Sequence, residues 1–311
     1  MTPDHAIRQY YSFVTVRKGA HVLGPSSNER FPVTSIPLFA VVLALTAALL
    51  HAGWNAMLRA GGDRFSAIVV MSAASSLAAL PWALIVGLPV AAAWPMLIIS
   101  AILHVGYNLA LVWAYRHGEL GQVYPLARGA APLLVTLSAA VFVGEHLPVA
   151  ALLGICLVSV GILGLAGAKT GRAALVPAFV TSLFIAGYTV TDGLGARASV
   201  DPTGYAAWLF VLDGLPMLLI HRFQRGRYLP PILTRETAKA AAGGVVSLLA
   251  YGLVIVAVAV APMGAVSALR ETSVLVAALL GRFFLGERLT GRRLAGCSLV
   301  AIGAVCLGFA A

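Results

Sequence analysis

The sequence contains an internal repeat in which apolar segments recur at a constant spacing. Arg128 is repeated as Arg270 and Gly144 as Gly286, each 142 positions later. Further identities at this offset include Leu133/Leu275, Leu137/Leu279, Glu145/Glu287, Leu147/Leu289, Leu152/Leu294, Gly154/Gly296, Leu157/Leu299 and Gly161/Gly303. A duplicated apolar unit is typical of membrane carriers, whose binding sites lie between two structural repeats.

The composition decides which solvent surrounds the repeats. Hydrophobic residues make up 60% of the chain and charged residues only 10%, which indicates an integral membrane protein. A helix needs about 20 apolar residues to cross a hydrocarbon core of about 30 Å. Ten segments meet this requirement: 36–58, 65–88, 94–115, 120–143, 147–168, 173–191, 203–220, 240–260, 262–285 and 294–311.

The repeat and the ten segments together predict the fold class. We expect an all-α membrane protein of ten transmembrane helices, with five in repeat 1 (36–168) and five in repeat 2 (173–311). Because five is odd, the second repeat must enter the membrane upside down relative to the first. The boundary between the eighth and ninth segments rests on the turn at 261–264 and on length, since 240–269 is too long for one crossing.

Three motifs carry a resemblance to a known family. These are His51-Ala52-Gly53-Trp54-Asn55, the segment Val123-Tyr124-Pro125-Leu126-Ala127-Arg128-Gly129, and a Gly-Glu pair followed by a Gly-rich helix in both halves. They resemble the EamA-type branch of the drug/metabolite transporter superfamily, over about 36–311. The resemblance implies a ten-helix carrier, usually an exporter of amino acids or other small metabolites in the inner membrane, and implies no particular substrate.

The first 35 residues lie outside this pattern. They are polar and contain no apolar run, so we expect a disordered N-terminal tail. An overextended start-codon assignment is the alternative interpretation.

The net charge of +10 reports orientation rather than a nucleic-acid partner, because the basic residues lie at the predicted membrane boundaries. Thirteen Lys and Arg residues fall in the loops after odd-numbered segments, against Arg197 alone in the even loops. This bias predicts cytoplasmic odd loops and both termini outside. The family resemblance implies both termini inside, so orientation stays open.

Polar side chains within the spans are the candidate binding residues, since they are costly in lipid. His51, Trp54 and Asn55 are spaced i, i+3, i+4 in the first span, and His104, Tyr107 and Asn108 repeat this spacing in the third. Each set therefore shares one helix face, and we expect both to line one cavity. Hydrogen bonding between helices is the alternative, especially for the asparagines. The complete predicted lining is His51, Trp54, Asn55, His104, Tyr107, Asn108, Tyr124, Arg128, Tyr188, Tyr251 and Arg270.

Two repeat-related arginines are the candidate anchors for an anionic group. Arg128 lies between Pro125 and Pro132, which predicts a broken helix with exposed backbone near its guanidinium. Arg270 is followed by Glu271, which is able to neutralise an arginine of either repeat. We expect Arg128 to hold a substrate carboxylate and Arg270 to form a structural ion pair; a locking pair at Arg128 is the alternative.

Three carboxylates are candidates for coupling transport to protons: Asp213, Asp192 and Glu271. A carboxylate in a low-dielectric site suits this role. Asp192 lies near the predicted end of the sixth span, where a solvated side chain is the alternative.

The sequence lacks the motifs of common enzymes, with no HExxH, no GxSxG and no phosphate loop. We expect no enzymatic activity, no cofactor and no metal. The expected function is secondary transport, in the export direction, across the cytoplasmic membrane by alternating access. An importer, a flippase, a scaffold and an intramembrane enzyme are the alternatives. The expected partners are the lipid bilayer and a small substrate; a monomer suffices and a dimer is compatible.

Overall fold

The computed structural model describes residues 36–58, 63–117, 120–166, 171–231, 234–284 and 290–309. All regular structure in these ranges is helical, which confirms the predicted all-α class. The predicted tail, 1–35, and the second Gly-Glu turn at 286–289 lie outside them. The α-helices are α1 Leu38–Leu58, α2 Arg64–Val86, α3 Trp94–His117, α4 Leu120–Ser138, α5 Val149–Ala166, α6 Arg172–Ala198, α7 Pro202–Arg225, α8 Arg235–Val260, α9 Met263–Arg270, α10 Ser273–Phe284 and α11 Gly291–Phe309. A 3₁₀ turn, Ala91–Ala93, precedes α3, and a π-helical turn, Ala139–Val143, extends α4.

The helices present apolar side chains on the outside of the bundle. Leu38, Ile85 and Phe142 each expose more than 70% of their surface. Within the described residues, nine helices, α1 to α8 and α11, are long and apolar enough to cross a membrane. The chain is therefore a multi-pass membrane protein, because such faces match lipid tails.

The predicted ninth span is interrupted in the structure. It consists of α9 and α10, which are separated at Glu271 and Thr272. The amide of Thr272 donates to the carbonyl of Leu269, and the Thr272 hydroxyl donates to the same carbonyl at 2.7 Å. This local bonding replaces the regular helical ladder, so the expectation of one continuous helix is wrong. All eight residues of α9 are buried, which places α9 in the centre of the bundle.

Three helices extend beyond their predicted apolar segments. Helix α6 continues to Ala198 instead of residue 191, α7 continues to Arg225, and α8 begins at Arg235. The predicted segments end where the apolar residues end, because they were defined by hydropathy. A helix is able to continue through polar residues until capping interactions end it. Asp201 caps α7 by accepting a hydrogen bond from the Thr203 amide at 2.9 Å.

Helices α5 and α11 approach closely through paired glycines. A β-carbon on Gly154 would lie 2.9 Å from the carbonyl oxygen of Gly303, and one on Gly161 would lie 2.7 Å from that of Gly296. Because residue numbers rise along one helix as they fall along the other, the two helices run antiparallel. Only glycine permits backbones to approach this closely.

Candidate substrate-binding site

The polar residues of α1 contact α4. The amide of Asn55 donates to the backbone carbonyl of His51 at 2.7 Å and to the hydroxyl of Tyr124 at 3.1 Å. The rings of His51 and Trp54 meet edge to face, 5.7 Å apart. The Arg128 guanidinium lies 5.8 Å from the Tyr124 ring, within range of a cation–π contact. The structure therefore brings together the predicted residues of the first and fourth spans.

An ion-pair cluster lies between the two halves of the chain. Glu271 Oε2 accepts from Arg128 Nε at 2.8 Å, and Glu271 Oε1 lies 3.4 Å from Arg270 Nη2. All three side chains are buried, with Arg270 fully enclosed. The shorter contact is the one to Arg128, whereas the sequence predicted Arg270 as the ion-pair partner of Glu271. The locking pair is thus Arg128–Glu271, because α9 ends where its carboxylate reaches across to α4.

Several guanidinium nitrogens of this cluster have no hydrogen-bond partner within the described residues. They are Nη2 of Arg128 and both Nε and Nη1 of Arg270. From the sequence, Arg128 is the predicted ligand anchor and Arg270 is predicted to form a structural ion pair. Each arginine bonds Glu271 through one nitrogen and keeps donors without a partner in the described residues, so Arg270 joins Arg128 as a candidate anchor.

The expected helix break at Arg128 is absent. Helix α4 is continuous through Pro125 and Pro132. Proline removes a donor but still fits a helix when its neighbours tolerate the kink. The break lies instead in the repeat-related segment, directly after Arg270.

Aromatic side chains of α3, α6 and α8 form a second group around Tyr188. The His104 ring stacks on Tyr188 at 4.1 Å, and Tyr107 and Tyr251 meet the same ring edge to face at 5.5 and 5.6 Å. Tyr188 also lies within electrostatic range of Arg128 and Arg270. Tyr188 therefore connects the aromatic group to the ion-pair cluster. Asn108 is half-buried and makes none of these contacts within the described residues.

Asp192 lies inside the bundle and not at a solvated helix end. It is fully buried, because α6 continues to Ala198. Its carboxylate accepts hydrogen bonds from the hydroxyls of Tyr251 at 2.6 Å and Tyr205 at 3.1 Å. The Ser100 hydroxyl lies 3.2 Å from Nδ1 of the neighbouring His104 ring. The alternative of a solvated Asp192 is therefore wrong.

Asp213 is also buried, but it has fewer partners than Asp192. Ser72 lies near its side chain, and Oδ1 has no hydrogen-bond partner in the described part of the chain. The Asp213 carboxylate lies within electrostatic range of His104, as does that of Asp192. The structure thus places two buried carboxylates near one histidine.

Sequence reasoning missed two groups of contacts. Tyr205, a partner of Asp192, has no distinguishing pattern in sequence apart from its place in the first turn of α7. Glu145, which the sequence marks only as a repeated residue, accepts from the Met263 amide at 2.9 Å and pairs with Arg197 Nη2 at 2.6 Å. Arg197 in turn donates to the carbonyls of Val258 and Ala261. We call Glu145, Arg197 and the α8–α9 turn the end clasp; its capping target is α9.

The model of the EamA-like transporter family matches residues 172–309. The second half of the chain is therefore similar to the EamA-like transporter family. The resemblance to EamA-type proteins that the sequence motifs predicted is confirmed. The match and the apolar helices together support a membrane transporter. No curated protein matches the chain. One solved crystal structure, at 17% sequence identity, covers 87% of this chain and 97% of its own with a TM-score of 0.70, which shows a shared fold. The EamA-like match includes α9, Arg270 and Glu271 of the candidate site.

Proposed function

We propose that the protein is a secondary transporter that exports small metabolites, such as amino acids, across the cytoplasmic membrane by alternating access. The observation that carries this proposal is the buried Arg128–Glu271–Arg270 cluster, which joins the two halves beside an interrupted helix. Interrupted helices commonly form the substrate sites of secondary carriers. Charged groups inside a membrane are costly and therefore mark functional sites by default.

The packing supports two inverted repeats of five crossings each, with α9 and α10 together forming one interrupted crossing. Gly154 corresponds to Gly296 in the repeat, and Gly161 to Gly303. Each glycine packs against the counterpart of the other, in antiparallel helices. The neighbour pairs α3–α6 and α1–α8 are likewise exchanged by the repeat relation, and α2 pairs with its own counterpart α7. An axis across the helices, as inverted repeats require, accounts for this arrangement.

Alternating access requires contacts that close one end and break when it opens. The end clasp joins Glu145 of repeat 1 to Arg197 and Met263 of repeat 2. At the other ends of the helices, Asp63 before α2 and Arg225 at the end of α7 form an exposed pair at 3.3 Å. An exposed pair is easily broken, whereas the clasp includes a partly buried ion pair and backbone bonds. In this proposal the end clasp is the gate that must open for release on its side.

The proposed coupling residue is Asp192. It touches Tyr251, which contacts Tyr188, and Tyr188 lies near both arginines. A change in the charge of Asp192 would therefore be felt at the candidate anchor. Asp213, which also lies within electrostatic range of His104, is the second candidate.

Metabolite analysis of cells tests the function. Cells that lack, carry or overproduce the protein are compared, with metabolites measured inside and outside; overproduced Arg270→Gln is the negative control and Arg282→Gln, an exposed arginine on α10, is the matched control. Export is supported if one metabolite class accumulates outside cells that make the unmodified or the Arg282→Gln protein, and does not accumulate with Arg270→Gln. Depletion from the medium would replace export by import. An unchanged distribution at normal protein level would contradict transport.

A further inference from the structure

A buried histidine near the end of α7 links this helix to the start of α2. His221 is fully buried, and its ring stacks on that of Phe65 with the ring centroids 5.6 Å apart. Its Nε2 lies 3.2 Å from the Ser66 hydroxyl, and its Nδ1 lies 2.7 Å from the backbone carbonyl oxygen of Arg227. The same hydroxyl donates to Asp63 Oδ2 at 2.8 Å. We call His221, Ser66, Asp63 and the Arg227 carbonyl the α2–α7 network.

The hydrogen-bond partners indicate how many protons the His221 ring carries. A carbonyl oxygen only accepts, so Nδ1 must donate to Arg227. In a neutral ring Nε2 is then an acceptor, and the single proton of the Ser66 hydroxyl would have to serve both Nε2 and Asp63. Partial burial opposes ionisation of Asp63, but hydrogen bonds from Ser66 and the charge of Arg225 outweigh it and lower the pKa of this carboxyl. Because an ionised carboxylate offers no proton, one contact of the neutral network has none.

A second proton on the ring removes this conflict. The imidazolium donates from Nδ1 to Arg227 and from Nε2 to Ser66, and the Ser66 hydroxyl is then free to donate to Asp63. Every contact of the network then has one donor and one acceptor, and the positive ring is separated from the carboxylate by one hydroxyl group. The stacked ring of Phe65 also favours a positive charge on its neighbour.

The charges around the ring allow it to be positive. Asp63 is the negative group that faces His221, through Ser66. Arg225 Nη2 lies 3.3 Å from Asp63 Oδ2, and this pair is weakened by solvent because both side chains are roughly half exposed. Two other arginines at these helix ends lie over tyrosine rings, Arg64 over Tyr115 at 4.7 Å and Arg222 over Tyr228 at 5.9 Å. The further charged or titratable side chains described at this end are exposed: Arg116, His117, Arg227, Arg235, Glu236 and Lys239.

We propose that the α2–α7 network is a pH-dependent latch, which is complete when His221 is protonated and is released when the ring loses its second proton. Histidine titrates between about pH 5 and pH 8, so the latch weakens as the pH rises through this range. Arg197 of the end clasp precedes α7, whereas His221 lies near the other end of that helix. The latch therefore controls the side of the bundle opposite the clasp. Its role in alternating access rests on the proposed transport function, whereas the latch itself does not.

Hydrogen exchange of the full-length protein in lipid nanodiscs tests the latch. Exchange is measured at about pH 5 and about pH 8 and expressed as protection factors, which correct for the intrinsic effect of pH on the exchange rate. We expect protection in segments 64–70 and 220–228 to fall about tenfold from the lower to the higher pH, because a hydrogen bond from a charged donor is lost.

Three variants assign the response to the network. His221→Gln removes the titrating ring and should give equal protection at both pH values. Ser66→Ala keeps the ring and removes the hydroxyl that joins it to Asp63, so it should also abolish the response, and it protects the test against misfolding of a variant at the fully buried position. His117→Gln, which changes an exposed histidine on α3 at the same end, is the matched control and should respond like the unmodified protein.

The outcomes separate the latch from the transport proposal. Equal protection of the unmodified protein at both pH values, or a response that persists in Ser66→Ala or His221→Gln, would overturn the latch. Metabolite export without a pH response in these segments would overturn the latch and leave transport intact. A pH response that depends on His221 and Ser66, without any flux, would contradict transport and leave the latch.

Discussion

Glu271 Oε2 accepts a hydrogen bond from Arg128 Nε at 2.8 Å, and this bond links helix α4 of the first repeat to the end of α9 in the second. Both side chains are buried. The pair therefore holds the two halves together at the point where the candidate ligand anchor, Arg270, adjoins it. In this proposal, one carboxylate contributes both to stability and to the ligand site.

Breaking this pair should destabilise the protein strongly. Glu271→Gln leaves two buried arginines without their carboxylate, and we expect it to lower the free energy of unfolding by about 3–5 kcal/mol. Arg128→Gln leaves Glu271 its 3.4 Å contact with Arg270, so its loss should be smaller, about 1–3 kcal/mol. The double variant should lose less unfolding free energy than the sum of the losses in the two single variants. Unfolding in detergent micelles measures all three, with Arg225→Gln as the control; its exposed partner Asp63 makes that loss about 1 kcal/mol or less. Strict additivity would show that the two side chains do not interact.

Substitution of Asp192 and of Asp213 should affect proton-driven transport differently. Asp192→Asn keeps the size and one acceptor oxygen for the tyrosine hydroxyls but removes the titrating carboxylate. We expect it to abolish the response to a pH gradient while exchange of the transported metabolite across liposomes continues. Asp213→Asn should retain the response. The assignment fails if the two variants exchange these properties, or if Asp192→Asn remains fully proton-driven.

The close glycine contacts between α5 and α11 should not tolerate a methyl group. A β-carbon on Gly303 would lie 2.6 Å from the carbonyl oxygen of Gly154, which is backbone and has little freedom to move. Gly303→Ala should therefore destabilise the protein by about 1–3 kcal/mol. Gly308→Ala on the same helix, where no atom lies within 4 Å, is the control and should leave the melting temperature unchanged or higher. Equal melting temperatures for both variants would contradict this packing.

The end clasp should control local opening of α9. Glu145→Gln weakens the pairing with Arg197 and the acceptor for the Met263 amide, so we expect faster hydrogen exchange in the segment around Met263. Glu236→Gln, which changes an exposed carboxylate in the first turn of α8, is the matched control and should not alter exchange there. Unchanged exchange in Glu145→Gln would show that the clasp does not hold this end closed.

Much of the fold was predictable because hydropathy and length act locally. The segments that became α1 to α8 were all found in sequence, with errors confined to their ends. The interruption at Glu271 and Thr272 was not predictable in this way, since the segment is apolar enough to read as one helix. Conversely, Pro125 and Pro132 predicted a break in α4, but the packed helix is continuous through both prolines.

The candidate site shows the same division at the level of single residues. The spacing of His51, Trp54 and Asn55 correctly placed them on one face of α1. It gave no means of knowing that Glu271 would reach Arg128 in preference to its neighbour Arg270. Which carboxylate meets which arginine depends on helix rotation and crossing, and these are properties of packed helices rather than of any one segment.

The sequence by itself determined that this chain is a helical membrane protein with an internal repeat, because apolar composition and repeated motifs are properties of the chain alone. Only the tertiary structure decided that Asp192 is buried between Tyr205 and Tyr251 and that Arg270 keeps unused donors. The physical reason is that hydrogen bonds and ion pairs act over a few ångströms. Their partners come from helices far apart in the chain, and packing brings them within that distance.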